Sequence, residues 1–189
     1  FPYTTLFRSS VVGFLDSRDN ILDSYPGYPP ILASVENYQP TEEDVFVCAL
    51  GDTGQKANYI GLMREKGAVF ASVIHPRSYI GRNVKLGTGC IVCPNSTLTN
   101  DLQLDDHVIV NINASISHDC SIGEGSTISP GCTIAGWCSI GKRVFLGIHA
   151  AVLPHRQISD DVVVGAGAIV VKDLIESGTY IGCPASLKK

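Results

Sequence analysis

Three observations predict a mainly β chain, a parallel β-helix preceded by a small α/β segment. From Ile74 to Val170 every sixth residue is Ile, Leu or Val, seventeen positions in succession. With about one residue in four aliphatic, chance gives such a run with odds on the order of 10⁻¹⁰. Four residues after each aliphatic the side chain is usually small, as at Ser78, Cys90, Ser96, Ala114, Cys120 and Ser126. Finally, 19 glycines accompany only 17% charged residues in 189, which suits tight corners between short strands and excludes disorder and an amphipathic helical bundle.

Taken in order, residues 1–10 contain no glycine and read as a non-native or truncated start. Val11 to Asp16 reads as a short apolar strand ending in an acid, and the stretch through Pro26, Pro29 and Pro30 as loop. Asp44 to Gly51 reads as a second strand. Asp52 or Thr53 can cap a helix that turns Ala57, Ile60 and Met63 inward, Gly67 stops it, and Ala68 to Val73 returns as a strand. That order predicts a small parallel α/β domain over residues 11–73. Ligands of such sheets sit at the carboxyl ends of the strands, which selects Asp16, Ser17 and Gly51 as substrate contacts; a turn acid and a turn glycine fit the same positions.

Over residues 74–172 the period of six places one branched aliphatic and one small residue inside each strand and corner, giving about five complete coils of three strands. Residues 173–189 then form a C-terminal cap. Four of the seven cysteines, Cys90, Cys120, Cys132 and Cys138, become small buried hydrophobes, and the odd total argues against a disulfide framework. Cys90 and Cys93 form a lone C-x-x-C with no second pair, so no metal is expected.

Fourteen basic against eighteen acidic residues give a net charge of −4, which implies no nucleic-acid partner. The longest nearly uncharged apolar stretch, Val162 to Val171, falls well short of the roughly 20 residues that span a bilayer, and no secretory leader is recognisable. The expectation is a cytoplasmic protein with no membrane partner.

The pattern [Ile/Leu/Val]-Gly-x-x-[small]-x resembles the hexapeptide-repeat acyltransferases, and the resemblance implies a left-handed triangular β-helix assembled as a homotrimer with sites between subunits. Further stretches are Phe14-Leu15-Asp16, Ala49-Leu50-Gly51, Ile74-His75-Pro76, Ser117-His118-Asp119-Cys120, Phe145-Leu146-Gly147-Ile148, Val152-Leu153-Pro154 and Gly182-Cys183-Pro184-Ala185. Over residues 11–187 they resemble the sugar acetyltransferases of the sialic acid O-acetyltransferase type, above all the bacterial UDP-N-acetylbacillosamine N-acetyltransferases. That implies acetyl-CoA as co-substrate, no metal, and transfer to an amino or hydroxyl group of a UDP-linked sugar for surface polysaccharide or glycoprotein glycans. One departure stands out: the family opens with a strand and a Gly-rich turn that cradles the nucleotide, and residues 1–10 offer neither, so the first strand of the sheet is expected to be missing.

Acetyl transfer from a thioester needs a base for the nucleophile's proton. His118 occupies the family's His-Asp position, and the resemblance assigns it that role with Asp119 supporting it; an adjacent carboxylate favours the protonated imidazole and so raises its basicity. With eighteen residues per coil, Gly136 and Pro154 stack beside His118 one and two coils on, leaving room for a ligand. On spacing alone, a solvated corner histidine is the simpler reading. For coenzyme A the resemblance points to Ile148 and Ala166, stacked at one corner, and to Thr127, where the family has a histidine. Gly136, Gly165 and Lys172 complete the expected cofactor contacts, with corner turns and a solvated Lys as their plainer roles. The alternatives are the same chemistry on sialic acid, serine or an antibiotic, and a non-catalytic trimeric scaffold.

Overall fold

The computed structural model describes residues 11–188. Seventeen short strands follow one another every six residues, from Val73–Ile74 to Ile169–Val170. All but the last three pair in parallel with the strand eighteen residues on, as Thr127 does with Phe145 and Phe145 with Val163. Three flat faces result. The first runs from Val73–Ile74 to Gly178–Ile181, the second from Tyr79–Ile80 to Ile169–Val170, and the third from Lys85–Leu86 to Gln157–Ile158. We call the bend from first to second face the first corner, from second to third the second corner, and from third back to first the third corner. Seventeen strands make five full coils and part of a sixth, which agrees with the repeat arithmetic.

A coil this tight must bend from one face to the next within four residues, and from Asn83 onward each bend places one residue in the left-handed region. That residue is always the third after the aliphatic, at fifteen corners from Asn83 to Gly167. Eleven of them are not glycine, and nine of those are Asn, Asp or His, the side chains that tolerate this conformation best.

The aliphatic ladder forms the core. From Val92 to Val170 every member is at most 2% exposed, and Cys90, Cys120, Cys132 and Cys138 fill the small inward positions among them. Ile80 and Leu86 are only partly buried because they lie in the first coil, with no coil beyond them. At the other end Leu174 and Tyr180 close the core. The Tyr180 hydroxyl donates to the Glu176 carbonyl at 3.0 Å, and Ser186–Leu187 folds back antiparallel on Gly178–Ile181.

The segment before the coils contains β1 (Phe14–Leu15) paired in parallel with β2 (Ile31–Ala33), then β3 (Val45–Phe46), α1 (Thr53–Glu65) and β4 (Val69–Phe70), with β3 and β4 parallel. The strand–helix–strand order is as expected, but the strands are shorter: Val11 and Val12 stay outside β1 and are exposed. Asp52 caps α1, accepting from the Gln55 N–H at 2.7 Å. Gly67, at φ 84°, ends it in a Schellman turn in which the Gly67 and Ala68 N–H groups donate to the Arg64 and Met63 carbonyls. The inward stripe is Lys56, Ile60 and Met63, not Ala57, which is only half-buried. Positions i, i+4 and i+7 share a helix face, and Lys56 sits on that face.

This segment is fastened to the first face and third corner. Lys56 Nζ donates to Thr127 Oγ1 at 2.8 Å. Arg64 pairs with Asp106 and Glu124, both at 3.0 Å, and Phe70 meets the buried His107 ring edge to face at 4.7 Å. Under this cover the outward residues Ile109 and Thr127 are as buried as their inward neighbours. No helix of the described residues is long and apolar enough to cross a membrane.

Candidate active site

His118 and Asp119 are the two turn residues of one coil at the second corner. Asp119 has φ 57°, and this turn swings its carboxylate back so that Oδ2 lies 2.9 Å from His118 Nδ1. With the proton on Nδ1 donated to Asp119, the Nε2 lone pair is the free acceptor, and Nε2 makes no hydrogen bond among the described residues. Both side chains are about half exposed, at 45% each, so the pair is open to a ligand. The backbone beneath is tied to its neighbours: the Trp137 N–H donates to the His118 carbonyl at 3.1 Å, and the Asp119 N–H to the Asn100 carbonyl at 3.2 Å.

Gly136 stacks beside His118 as the eighteen-residue step requires, but the space it leaves is taken by the imidazole. A Cβ on Gly136 would stand 2.7 Å from His118 Cε1 and 2.9 Å from Nε2. Its role is therefore to let the ring lie flat on the backbone, which corrects the expectation of an empty ligand space at this point. Trp137, the next residue, meets the His118 ring at 4.4 Å and 90°, and stacks on His155 at 4.9 Å and 4°. Neither ring was singled out from the sequence. The signal available was the eighteen-residue column Asp101, Asp119, Trp137, His155, in which a large aromatic follows two acids.

The other predicted contacts fall at three places. Ile148 and Ala166 stack at the first corner, both exposed, joined by the Gly167 N–H donating to the Ile148 carbonyl at 2.8 Å. Gly165 adjoins them, half-buried, where a Cβ would stand 2.8 Å from Ile181 Cγ2. Lys172 is exposed at the second corner, three coils from His118, about 14 Å along the axis at the usual strand spacing. The first and second corners border one face, whose outward residues include Ser115, Thr133 and Ala151. Thr127 is on neither corner: it is buried, with its hydroxyl held by Lys56, so it is withdrawn as a cofactor contact. Lys56 takes the interior place, and its burial pulls the ammonium down to about 8.

Asp16 is held by Arg18, whose guanidinium donates to both carboxylate oxygens at 2.9 Å and draws the acid down to about 2. Ser17 and Gly51 are exposed, and a Cβ on Gly51 would meet nothing within 4 Å. No hydrogen bond or ion pair among the described residues joins any of these three to His118.

The fold that carries these residues is shared with known proteins. The family described as the GMPPB C-terminal domain matches residues 66–170, more than half of the chain. A structure of PerB from Caulobacter crescentus, in complex with CoA and GDP-perosamine, is 31% identical, covers 85% of this chain and 79% of its own, and superposes with a TM-score of 0.80. A variant of the Caulobacter crescentus perosamine N-acetyltransferase is 30% identical over 85% and 78% of the two chains, with a TM-score of 0.79. The acetyltransferase domain of PglB from Neisseria gonorrhoeae, in complex with acetyl coenzyme A, is 27% identical, covers 93% and 85%, and has a TM-score of 0.83. A left-handed β-helix is thus a fold shared with sugar N-acetyltransferases, and the chain belongs to the GMPPB C-terminal-domain family within that β-helical group.

Proposed function

We propose that the protein transfers the acetyl group of acetyl-CoA to an amino group of a nucleotide-linked sugar, with His118 as the base. The observation that carries this reading is the 2.9 Å contact between His118 Nδ1 and Asp119 Oδ2 at an exposed corner, which leaves Nε2 free to accept a proton. It is supported by relatives in complex with CoA and a GDP-linked amino sugar or with acetyl coenzyme A.

In the proposed reaction the sugar amine attacks the thioester carbonyl, a C–N bond forms, and Nε2 takes the amine proton. The imidazolium so formed is stabilised by Asp119 across Nδ1. When the tetrahedral intermediate collapses, the C–S bond breaks and the coenzyme A thiolate leaves, taking the proton from Nε2. No metal enters this sequence.

Coenzyme A is assigned to the first corner, along Ile148, Gly165 and Ala166, with Lys172 at the second corner of the adjoining chain near a phosphate. Because the base and this corner lie on opposite borders of one face, a homotrimer in which one chain's second corner meets a neighbour's first corner is the assembly that joins them. The nucleotide is assigned to the segment carrying Asp16, Ser17 and Gly51; the sequence resemblance favours a UDP-linked amino sugar of bacterial glycan synthesis as acceptor, whereas the relatives at 30–31% identity hold GDP-perosamine. The seven cysteines are all free thiols, which suits a reducing, cytoplasmic setting.

The test is acetyl transfer by the wild type and His118→Ala against UDP- and GDP-linked 4-amino sugars, with CMP-sialic acid and free serine as controls. The expected result is turnover with an amino sugar nucleotide, reduced about 10²–10⁴-fold by the substitution. Equal turnover in the variant excludes His118 as the base, and turnover with serine alone excludes the acceptor class.

A further inference from the structure

The largest departure from the corner rule touches the proposed base. Of the fifteen left-handed corner residues, thirteen are Gly, Asn, Asp or His, and the others are Arg143 and Trp137. Arg143 has a compensating partner, donating from Nε and Nη2 to both oxygens of Asp161 at 2.6 Å. Trp137, at φ 57°, has no ion pair to offset its strain and is 54% exposed, so core burial does not hold it there either. Its contacts are rings: His155 lies parallel to it at 4.9 Å, and His118 meets it at right angles at 4.4 Å.

We propose that Trp137 is a positioning residue for His118, fixing the imidazole so that Nδ1 stays on Asp119 while Nε2 stays free for the acceptor's proton. The Asp119 contact anchors one ring atom and leaves the ring free to tilt about it. Gly136 lies against the ring through its bare Cα, where a Cβ would come within 2.7 Å. Trp137 supplies the second surface, and His155 stacks on the indole. Non-glycine residues persist in sparsely populated backbone regions where the surroundings over-determine them, and such residues cluster at active sites. Here the surroundings are the two histidine rings. Asn is the side chain that the same turn carries without strain, as at Asn83, Asn95 and Asn113.

The proposal rests on His118 being the base, and the experiment separates the two. Wild type, Trp137→Asn, Trp137→Phe and His118→Ala are compared for kcat and KM, for Tm, and for the His118 side-chain signals in long-range ¹H–¹⁵N NMR spectra. Trp137→Asn is expected to keep or raise Tm and to lose at least about tenfold in kcat with KM values changed by no more than about twofold. It should also lose the Nδ1–H signature of the Asp119 contact, and Trp137→Phe should recover part of both. Wild-type kcat with an unchanged signature in Trp137→Asn overturns the proposal, as does a loss confined to the acceptor KM, which would make Trp137 a wall for the sugar. A lowered Tm with the signature intact overturns it too, since Trp137 would then be merely structural. Full activity in His118→Ala overturns the base assignment itself. An inactive His118→Ala beside an unimpaired Trp137→Asn overturns the positioning role alone.

Discussion

Gly136 has no left-handed conformation to adopt, yet the site depends on its lacking a side chain. The His118 ring rests where a Cβ would be, 2.7 Å from Cε1. Gly136→Ala therefore has to push the imidazole away from the backbone, and a base moved by about 1 Å can lose as much as 10²-fold in rate. The expected outcome is a fall of at least about tenfold in kcat with a nearly unchanged melting curve, because the coil hydrogen bonds are made by the backbone. A wild-type rate would show that the ring does not need this seat. The eighteen-residue step made the Gly136–His118 neighbourhood legible in the sequence. What occupies the space was not legible, because a side chain's own volume fills it. Asp16 shows the complementary limit: its carboxylate reads as a ligand contact from its strand end, while the Arg18 guanidinium, two residues on, that holds both oxygens is not legible there.

Helix α1 is attached to the coils by a buried lysine, an arrangement that carries a pH signature. Lys56 is fully buried with only Thr127 Oγ1 and the Ser126 carbonyl to accept from it, and burial lowers the ammonium from 10.5 to about 8. Between those values the unfolded chain binds more protons than the folded one, so stability rises with pH across that window, and the full cost is present below about pH 8. Against Lys56→Met, which removes the titration, wild-type stability in urea should rise by up to about 3 kcal/mol from pH 8 to above pH 10.5. A difference independent of pH would mean that Lys56 is hydrated or paired in solution. Lys56 was overlooked in the sequence for a definite reason. An inward helical stripe is recognised by apolar side chains, and only a hydroxyl seventy-one residues away in the fold's first face, Thr127, makes a cation acceptable there. The cap Asp52 and the stop Gly67, by contrast, are local chemistry and could be read directly.

The molecule as a whole was unusually legible because a β-helix is nearly one-dimensional: each side chain's neighbours lie eighteen residues before and after it, so the period states the contacts. Ile122, Ile140 and Ile158 are consecutive members of one stack and are buried together. The same logic fails for whatever crosses the coils. Arg64 of α1 docks onto Asp106 and Glu124 from outside the coils, and the Trp137 ring, stacked on His155 within its own column, also meets His118 of the adjacent column. The period also divides the proposed site, since His118 borders one edge of the second face and Ile148 with Ala166 borders the other. A crystal structure with coenzyme A and an amino sugar nucleotide tests both the base and the assembly. The predicted result is a trimer in which the acceptor amine lies about 3 Å from His118 Nε2, with the coenzyme A sulfur beside it and the pantetheine along a neighbouring chain's Ile148 and Ala166. Coenzyme A bound with its thiol away from His118 would contradict it.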